Sequence, residues 1–237
     1  MRATGFLYEA NTQIYLVTAR HNVLPTNIHC PNPRTGGALW EVYTDFIANK
    51  IDMFLPDGEG WVHQRVLLEE VPDNGVISNQ DIDILAVQLP QDSASYDLKI
   101  FRPDDLQHST KQDESLFAYG YGTESLPSAT ESYSATRFPD QLQQPQELEV
   151  TNLFSPDGMP DRCNGGLGVA LDEERSSTEK YNGMSGAPVL DEGLVGVHSG
   201  TGEFPERAKN SHPELENTLK THYFDTRLLQ RLNNRSR

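Results

Sequence analysis

The sequence is poor in cysteine and in basic residues. Two cysteines, Cys30 and Cys163, stand among 237 residues and show no CxxC or other metal-ligand spacing. This pattern predicts two free thiols in a reducing compartment, because disulfide frameworks and zinc sites need more cysteines at short, regular spacing. Lysine and arginine number 19 against 35 acidic residues, which gives a formal net charge of -16. Phosphate backbones and anionic membrane surfaces would repel such a protein, so neither nucleic acid nor a membrane is an expected partner.

Long apolar runs and clustered histidines are also missing. No stretch reaches the roughly 18 consecutive apolar residues of a membrane span, and no apolar run near the first residues has the character of a signal peptide. We therefore expect a cytoplasmic protein. Five histidines lie outside any HExxH or clustered spacing and are expected to be surface or structural residues: His29, His63, His108, His212 and His222. The histidine spacing thus predicts no zinc site.

Strand-length apolar runs recur along the chain, separated by turn-forming residues. The runs are rich in valine, isoleucine, tyrosine and phenylalanine, and segments such as Pro56-Asp57-Gly58 interrupt them, as is typical of β-strands joined by turns. They cover residues 4–8, 14–18, 40–46, 51–55, 61–68, 82–89, 116–121, 148–153, 167–171, 187–190 and 194–198. This series predicts an all-β sandwich or barrel.

Polar stretches divide the strand series. The stretch 91–114 separates two comparable halves, and we place the domain linker there. Two further polar stretches, 124–147 and 172–182, are predicted to be long surface loops. The expected domains are residues 1–105, residues 106–205, and a C-terminal tail with a helix at residues 206–237.

The chain end carries a helical pattern. Phe224, Leu228 and Leu232 fall at positions i, i+4 and i+8 behind Asp225, which is a suitable N-cap residue. The spacing predicts one short amphipathic helix that packs against the rest of the protein.

Two segments in the first half could carry acid-base chemistry. The β-rich run Tyr15–Ala19 leads to His21, and an imidazole at a strand end is held rigidly yet can face a cleft. The second segment, Asp81-Ile82-Asp83, opens an apolar strand. A carboxylate beside a buried strand is costly unless a partner such as an imidazole N–H accepts its charge. We favour Asp83 because it directly precedes the run Ile84–Val87, with Asp81 as the alternative.

A third segment could carry a nucleophile. In Gly183-Met184-Ser185-Gly186-Ala187-Pro188-Val189 a serine stands between glycines just before a strand. Such a turn can direct backbone N–H groups to one point, and those of Gly183 and Ser185 would supply an oxyanion hole. The segment differs from the Gly-x-Ser-x-Gly elbow of α/β-hydrolases, because Ala187 occupies the place of the second glycine.

The three segments occur in the order His, Asp, Ser, and here the sequence resembles the trypsin/chymotrypsin-like serine peptidases, above all the bacterial group without disulfides. Thr4-Gly5-Phe6-Leu7 together with Val17–His21 matches the family's GTGF and TAxH blocks. Gly183–Val189 matches its GxSGxPV block, and Asp83 stands in its aspartate strand. Ala118–Gly122 is similar to the strand that opens the family's second barrel. The resemblance runs from about residue 4 to residue 202.

The resemblance implies a double six-stranded antiparallel β-barrel with the active site between the barrels, followed here by the short C-terminal helix. Ser185 would attack the scissile carbonyl, His21 would take and return the proton, and Asp83 would fix the imidazole tautomer. Protein or peptide substrates would be hydrolysed through an acyl-enzyme, and no metal or cofactor would be needed.

Three departures from the family pattern stand out. The GTGF block begins at residue 4, where relatives have an earlier strand, so either the first strand is missing or the barrel is altered. Met184 replaces the aspartate that pairs with a newly cleaved N-terminus in digestive members. Asn22 replaces a disulfide cysteine of secreted relatives.

The segment Val195–Gly202 resembles the pattern Gly-Ile-His-x-Gly of glutamyl endopeptidases and of viral proteases that prefer glutamine. That correspondence places His198 in the S1 pocket and implies a preference for Glu or Gln at P1. Ser199, Gly200 and Thr201 would offer backbone hydrogen bonds to an extended peptide, and Lys180 is a further candidate for the pocket. The alternative function is a non-catalytic peptide-binding module on the same scaffold.

Overall fold

The computed structural model describes residues 3–31, 38–57, 60–90, 99–107, 114–121, 146–154, 165–171, 181–204, 206–211, 213–216 and 218–234. Within these ranges the protein is built mainly of β-strands, which confirms the all-β prediction. The strands of the first half are β1 (Phe6–Ala10), β2 (Gln13–Thr18), β3 (Thr26–Pro31), β4 (Ala38–Thr44), β5 (Lys50–Asp57), β6 (Gly60–Leu67), β7 (Val76–Asn79), β8 (Ile82–Gln88) and β9 (Ile100–Phe101). Those of the second half are β10 (Ser115–Gly120), β11 (Gln146–Phe154), β12 (Gly165–Leu171), β13 (Pro188–Leu190), β14 (Leu194–Glu203) and β15 (Thr218–Asp225).

The described strands of the first half form an open sheet with two hairpins, where the resemblance implied a closed six-stranded barrel. The sheet has the order β7-β8-β2-β1-β9, and the hairpins are β3–β4 and β5–β6. Residues Ile100 and Phe101 of β9 pair in parallel with Leu7 and Tyr8 of β1. This two-residue strand pairs with the free edge of β1. Among the described strands it pairs with neither hairpin, so the sheet does not close into a barrel. The β5–β6 hairpin packs on the sheet through apolar side chains such as Met53 and Val66.

The second half is a closed six-stranded barrel with the order β10-β11-β12-β15-β14-β13. Its closing strand, β15, lies in the segment that the sequence analysis assigned to a tail. Thr218, Thr221 and His222 interrupt the apolar pattern of this segment, yet all three side chains are buried inside the fold. Thr221 and His222 are adjacent and so lie on opposite faces of β15, and both are buried. Hydrophobic alternation therefore could not reveal the strand.

The predicted C-terminal helix is present as α2 (Arg227–Asn234), after the shorter α1 (Glu206–Ser211). Phe224 belongs to β15, which ends at Asp225, and not to the helix, whereas Leu228 and Leu232 are buried on α2 as expected. They share one apolar core with Phe6 and Tyr8 of the sheet. Helix α2 therefore fastens the end of the barrel strand to the first half of the protein. Neither described α-helix has the length and apolar character needed to span a bilayer.

The division of the chain near residue 105 stays a prediction. Most of the stretch 91–114, and most of the loops predicted at 124–147 and 172–182, lie outside the described residues. Cys163 also lies outside them, whereas Cys30 is a buried residue of β3.

Candidate active site

His21 lies directly after β2, on a single 3-10 turn formed by Arg20–Asn22. The preceding strand is buried, so its packing fixes the position of this turn. The His21 side chain keeps 18% of its surface exposed and faces a cleft that Ser185 also lines. The placement agrees with the expectation of an imidazole held at a strand end.

Asp83 is the carboxylate that contacts the His21 side chain. It is the second residue of β8, fully buried, and its Oδ2 lies 2.6 Å from His21 Nδ1. Its Oδ1 accepts a second hydrogen bond, 2.8 Å long, from the backbone N–H of His21. Asp81, the alternative, is exposed in the turn before the strand. Two residues of one strand that are two positions apart have side chains on the same face. Asp81 does not share the face of Asp83, because it lies in the turn before β8 and not on the strand.

The buried carboxylate fixes the tautomer of the imidazole. A carboxylate at Nδ1 requires a proton on that nitrogen, which leaves Nε2 of the neutral ring as a proton acceptor. A further hydrogen bond of 2.6 Å reaches Asp83 Oδ2 from the Ser199 hydroxyl. Asp83 thus has three donors, which together compensate for its burial.

The Ser199 side chain was not predicted as part of the site, since only its backbone was considered. Its hydroxyl lies between Asp83 and the indole N–H of Trp40, which is 3.3 Å away. No local motif could have shown these contacts, because Asp83 and Trp40 are both more than a hundred residues away in sequence.

Ser185 lies in a tight loop that precedes β13. Two glycines flank it with positive φ angles, 98° at Gly183 and 95° at Gly186. A Cβ atom on Gly186 would overlap the Thr4 carbonyl oxygen, so only glycine fits where the loop packs against the first half.

The loop leaves two backbone N–H groups available. Those of Met184, Gly186 and Ala187 donate to carbonyl oxygens of the protein. Within the described part of the chain, the N–H groups of Gly183 and Ser185 have no recorded acceptor. Two such groups on either side of one residue can bind a single negatively charged oxygen.

The Ser185 hydroxyl donates to the Ser199 carbonyl oxygen at 2.9 Å. It lies in the same cleft as His21, whose Nε2 is the available proton acceptor. Proton transfer from Ser185 to His21 therefore requires the hydroxyl to turn away from Ser199. Catalytic hydrogen bonds often tighten only when substrate is bound.

His198 is buried behind the cleft, with 1% of its surface exposed. Its Nδ1 lies 3.2 Å from the Met184 carbonyl oxygen, and its Nε2 lies 3.1 Å from the hydroxyl of Thr201 and 3.0 Å from that of Thr221. The carbonyl places the ring proton on Nδ1, so Nε2 is an acceptor. It takes the hydroxyl hydrogen of Thr201, because the single hydroxyl hydrogen of Thr221 is donated to the Gly200 carbonyl oxygen, 3.3 Å away. Burial lowers the pKa of His198 to about 4, so the ring is neutral at pH 7.

The other proposed pocket residues divide into two groups. Ser199, Gly200 and Thr201 line the cleft together with His21 and Ser185. Lys180 lies outside the described residues. No group of three possible metal ligands occurs in the part of the chain that the structure describes.

Trp40 of β4 is a cleft residue that the sequence did not reveal. Its ring lies against Gly200, where an added Cβ would come within 3.0 Å of it, and stacks on His222 with ring centroids 5.5 Å apart. His222 is fully buried, and neither of its ring nitrogens has a hydrogen-bond partner among the described residues. Burial, with a smaller contribution from His198 and Lys220, lowers the pKa of His222 to about 3.

Comparison with protein-family models identifies one family. The model of the trypsin-like peptidase domain matches residues 3–197. Among solved structures, the chain is similar to a thermostable serine protease, AL20, from an extremophilic microorganism. That match has a TM-score of 0.44 and 14% sequence identity, and it covers 98% of this chain and 88% of the other. A comparison with curated proteins finds no match.

The buried histidines predict that acid destabilises the fold. In the unfolded chain a histidine binds a proton near pH 6.5, whereas the folded pKa is about 4 for His198 and about 3 for His222. Between these values the unfolded state holds more protons, so the free energy of unfolding falls as the pH drops below 6.5. Each histidine contributes a slope of up to about 1.4 kcal/mol per pH unit. Urea unfolding at pH 8, 6.5, 5.5 and 5 measures this loss.

The variant His222→Leu isolates one of the two contributions. Relative to its own stability at pH 8, it is expected to lose less free energy of unfolding than the wild type between pH 6.5 and 5. The same loss in both proteins would contradict the assigned burial of a neutral His222.

Proposed function

This chain belongs to the trypsin-like peptidase domain family, and we propose that it is a serine endopeptidase in which Ser185, His21 and Asp83 form the catalytic triad. The observation that carries the proposal is the contact between the buried Asp83 carboxylate and His21 Nδ1, which leaves His21 Nε2 free to accept a proton beside Ser185. Protein or peptide chains are the substrates.

The proposed reaction begins with attack of Ser185 Oγ on the scissile carbonyl carbon while His21 Nε2 takes the hydroxyl proton. The carbonyl oxygen becomes an oxyanion, which the N–H groups of Gly183 and Ser185 stabilise. His21 then returns the proton to the leaving amine as the C–N bond breaks. Water, deprotonated by His21, hydrolyses the acyl-enzyme and releases Ser185. Asp83 stays ionised and stabilises the imidazolium.

An exposed strand edge supports binding of an extended peptide. Strand β13 pairs with β14 between Leu194 and Val197, whereas the later residues of β14 pair with β15 alone among the described strands. The segment Ser199–Thr201 therefore has one backbone edge toward the cleft. A substrate strand can bind such an edge by main-chain hydrogen bonds, which leaves selectivity to the side-chain pockets.

We propose a preference for glutamine or glutamate at P1, with glutamine favoured. The Thr201 hydroxyl lines the cleft and contacts His198 Nε2, so the buried imidazole can act on the P1 side chain through this hydroxyl. The ring is neutral at pH 7. Glu41 also lines the cleft, and the net charge is -16. A neutral pocket in a negative protein favours an amide over a carboxylate.

One observation favours the second candidate function, a peptide-binding module without catalysis. The Ser185 hydroxyl is hydrogen-bonded to the Ser199 carbonyl instead of to His21. If substrate does not turn the hydroxyl toward His21, the cleft binds peptides but leaves them intact.

Reaction with a fluorophosphonate probe tests the triad. The wild-type protein is expected to be labelled at Ser185, and Ser185→Ala is expected to abolish labelling. His21→Ala removes the proton acceptor and should slow labelling by about 10²- to 10⁴-fold. Asp83→Asn should slow it by a similar factor, because the imidazole loses the partner that fixes its tautomer.

Ser78→Ala serves as the matched control, since Ser78 is an exposed serine on β7. It should be labelled at the wild-type rate. A wild-type protein that is folded by circular dichroism and yet resists labelling would favour the binding module.

Cleavage of a peptide library tests the P1 proposal. We expect enrichment of glutamine at P1, with glutamate second at pH 7, and loss of this enrichment in Thr201→Val, which removes the hydroxyl but keeps the shape of the side chain. Cleavage without enrichment of either residue, or equal selectivity in the variant, would contradict it.

A further inference from the structure

Two carbonyl groups of the nucleophile loop, residues 181–187, are hydrogen-bonded to the first half of the protein. The Gly183 carbonyl oxygen accepts from the Thr4 hydroxyl at 2.9 Å. The Ser185 carbonyl oxygen accepts from the Thr4 backbone N–H at 3.1 Å and from the Asn22 side-chain amide at 3.0 Å. Thr4 precedes β1, and Asn22 follows His21 on the same 3-10 turn. The loop is therefore held from the side of the protein that carries His21.

These side chains form one connected network. The Thr4 hydroxyl accepts from the Tyr121 backbone N–H at 2.9 Å while it donates to Gly183. The second hydrogen of the Asn22 amide is donated to the Thr18 hydroxyl, 3.1 Å away, which itself donates to the Thr4 carbonyl at 2.7 Å. Thr4, Thr18 and Asn22 are all buried. Every polar hydrogen on these three side chains thus has an acceptor, and such networks keep a fixed geometry.

The network restrains the peptide groups on both sides of the Met184–Ser185 bond. In the group after Gly183, the carbonyl is bound by Thr4 and the N–H of Met184 is donated to Tyr181. In the group after Ser185, the carbonyl is bound by Thr4 and Asn22, and the N–H of Gly186 is donated to His198. The Ser185 N–H lies in the peptide plane between these two, and the Gly183 N–H lies in the plane before the first. Because both neighbouring planes are held at both ends, the backbone rotation that would turn either N–H away from the cleft is restricted.

Such restraint matters because the loop is rich in glycine. Gly183 has a φ of 98°, and glycine changes between positive and negative φ at little cost. Met184 is uncharged and fully buried in the barrel core, so no ion pair at this position orders the loop.

We propose that Thr4 and Asn22 are positioning residues that hold the nucleophile loop in its oxyanion-binding conformation. They act through the Gly183 and Ser185 carbonyls and do not contact the substrate. This inference rests on the proposed peptidase function, because it assigns the two residues to the oxyanion hole of the same site.

The test compares Thr4→Val with Thr4→Ser in steady-state cleavage of a fluorogenic peptide. Thr4→Val removes the hydroxyl and keeps the backbone bond to Ser185, so kcat should fall by about 10- to 100-fold with KM within about twofold. Thr4→Ser retains the hydroxyl and should stay within about threefold of the wild-type kcat. Thr218→Val is the matched control, since Thr218 is a buried threonine whose hydroxyl donates to the Leu215 carbonyl oxygen, in the 3-10 helix just before β15.

The same variants distinguish positioning from a general loss of stability. If Thr218→Val lowers the Tm as much as Thr4→Val but keeps the wild-type kcat, the loss of kcat in Thr4→Val results from the altered loop and not from lower stability. A kcat of Thr4→Val within threefold of the wild type, or an equal loss in Thr4→Ser, would overturn the proposal. Asn22→Leu, which removes the second donor to Ser185, should also lower kcat selectively and covers the case in which Thr4→Val does not fold.

Hydrogen–deuterium exchange of residues 181–187 makes the test independent of activity. Exchange in this segment should be faster in Thr4→Val than in the wild type and in Thr218→Val. If the wild type is active but Thr4→Val changes neither the exchange of residues 181–187 nor kcat, the positioning role is wrong and the proposed function stands. If the wild type has no activity, the proposed function is wrong. If exchange of residues 181–187 is then also unchanged in Thr4→Val, the restraint of the loop by Thr4 is wrong as well.

Discussion

The buried carboxylate of Asp83 is the constraint on which the rest of the structure depends. An unpaired charge at this depth would cost several kcal/mol, so its three hydrogen-bond donors must be in place when the protein folds. Two of them come from His21 in the first half, and the third is the Ser199 hydroxyl on a strand of the barrel. Satisfying Asp83 therefore requires the two halves to dock, and the same contacts orient the imidazole toward the cleft that holds Ser185.

Several other contacts reinforce this docking. Trp40 reaches from the first half onto Gly200 and His222 of the barrel, and α2 continues from the last barrel strand into the core of the open sheet. The Thr4 and Asn22 bonds to the nucleophile loop belong to the same interface. Two glycines and a serine on a short loop have little rigidity of their own, so the geometry of the site is determined by packing between the halves.

Short local patterns predicted the three residues that we propose as the triad. His21, Asp83 and Ser185 each stand at the end of a strand or in a turn of distinctive composition, and the structure brings His21 and Ser185 to one cleft with Asp83 behind the imidazole. Local pattern could not reveal the Ser199 side chain or Trp40, because their roles arise from contacts between distant segments. It also missed β15, because buried threonines and a buried histidine break the apolar pattern of this strand. It could not show that the described strands of the first half remain an open sheet.

The most direct measurement is a crystal structure of the protein with a peptidyl boronic acid bound. The account predicts a tetrahedral boron bonded to Ser185 Oγ, with one boron oxygen within about 3.1 Å of the backbone nitrogens of both Gly183 and Ser185. The Ser185 oxygen should then have left the Ser199 carbonyl and lie beside His21 Nε2. A peptide bound in the cleft with trigonal boron and an unchanged Ser185–Ser199 hydrogen bond would contradict a catalytic serine.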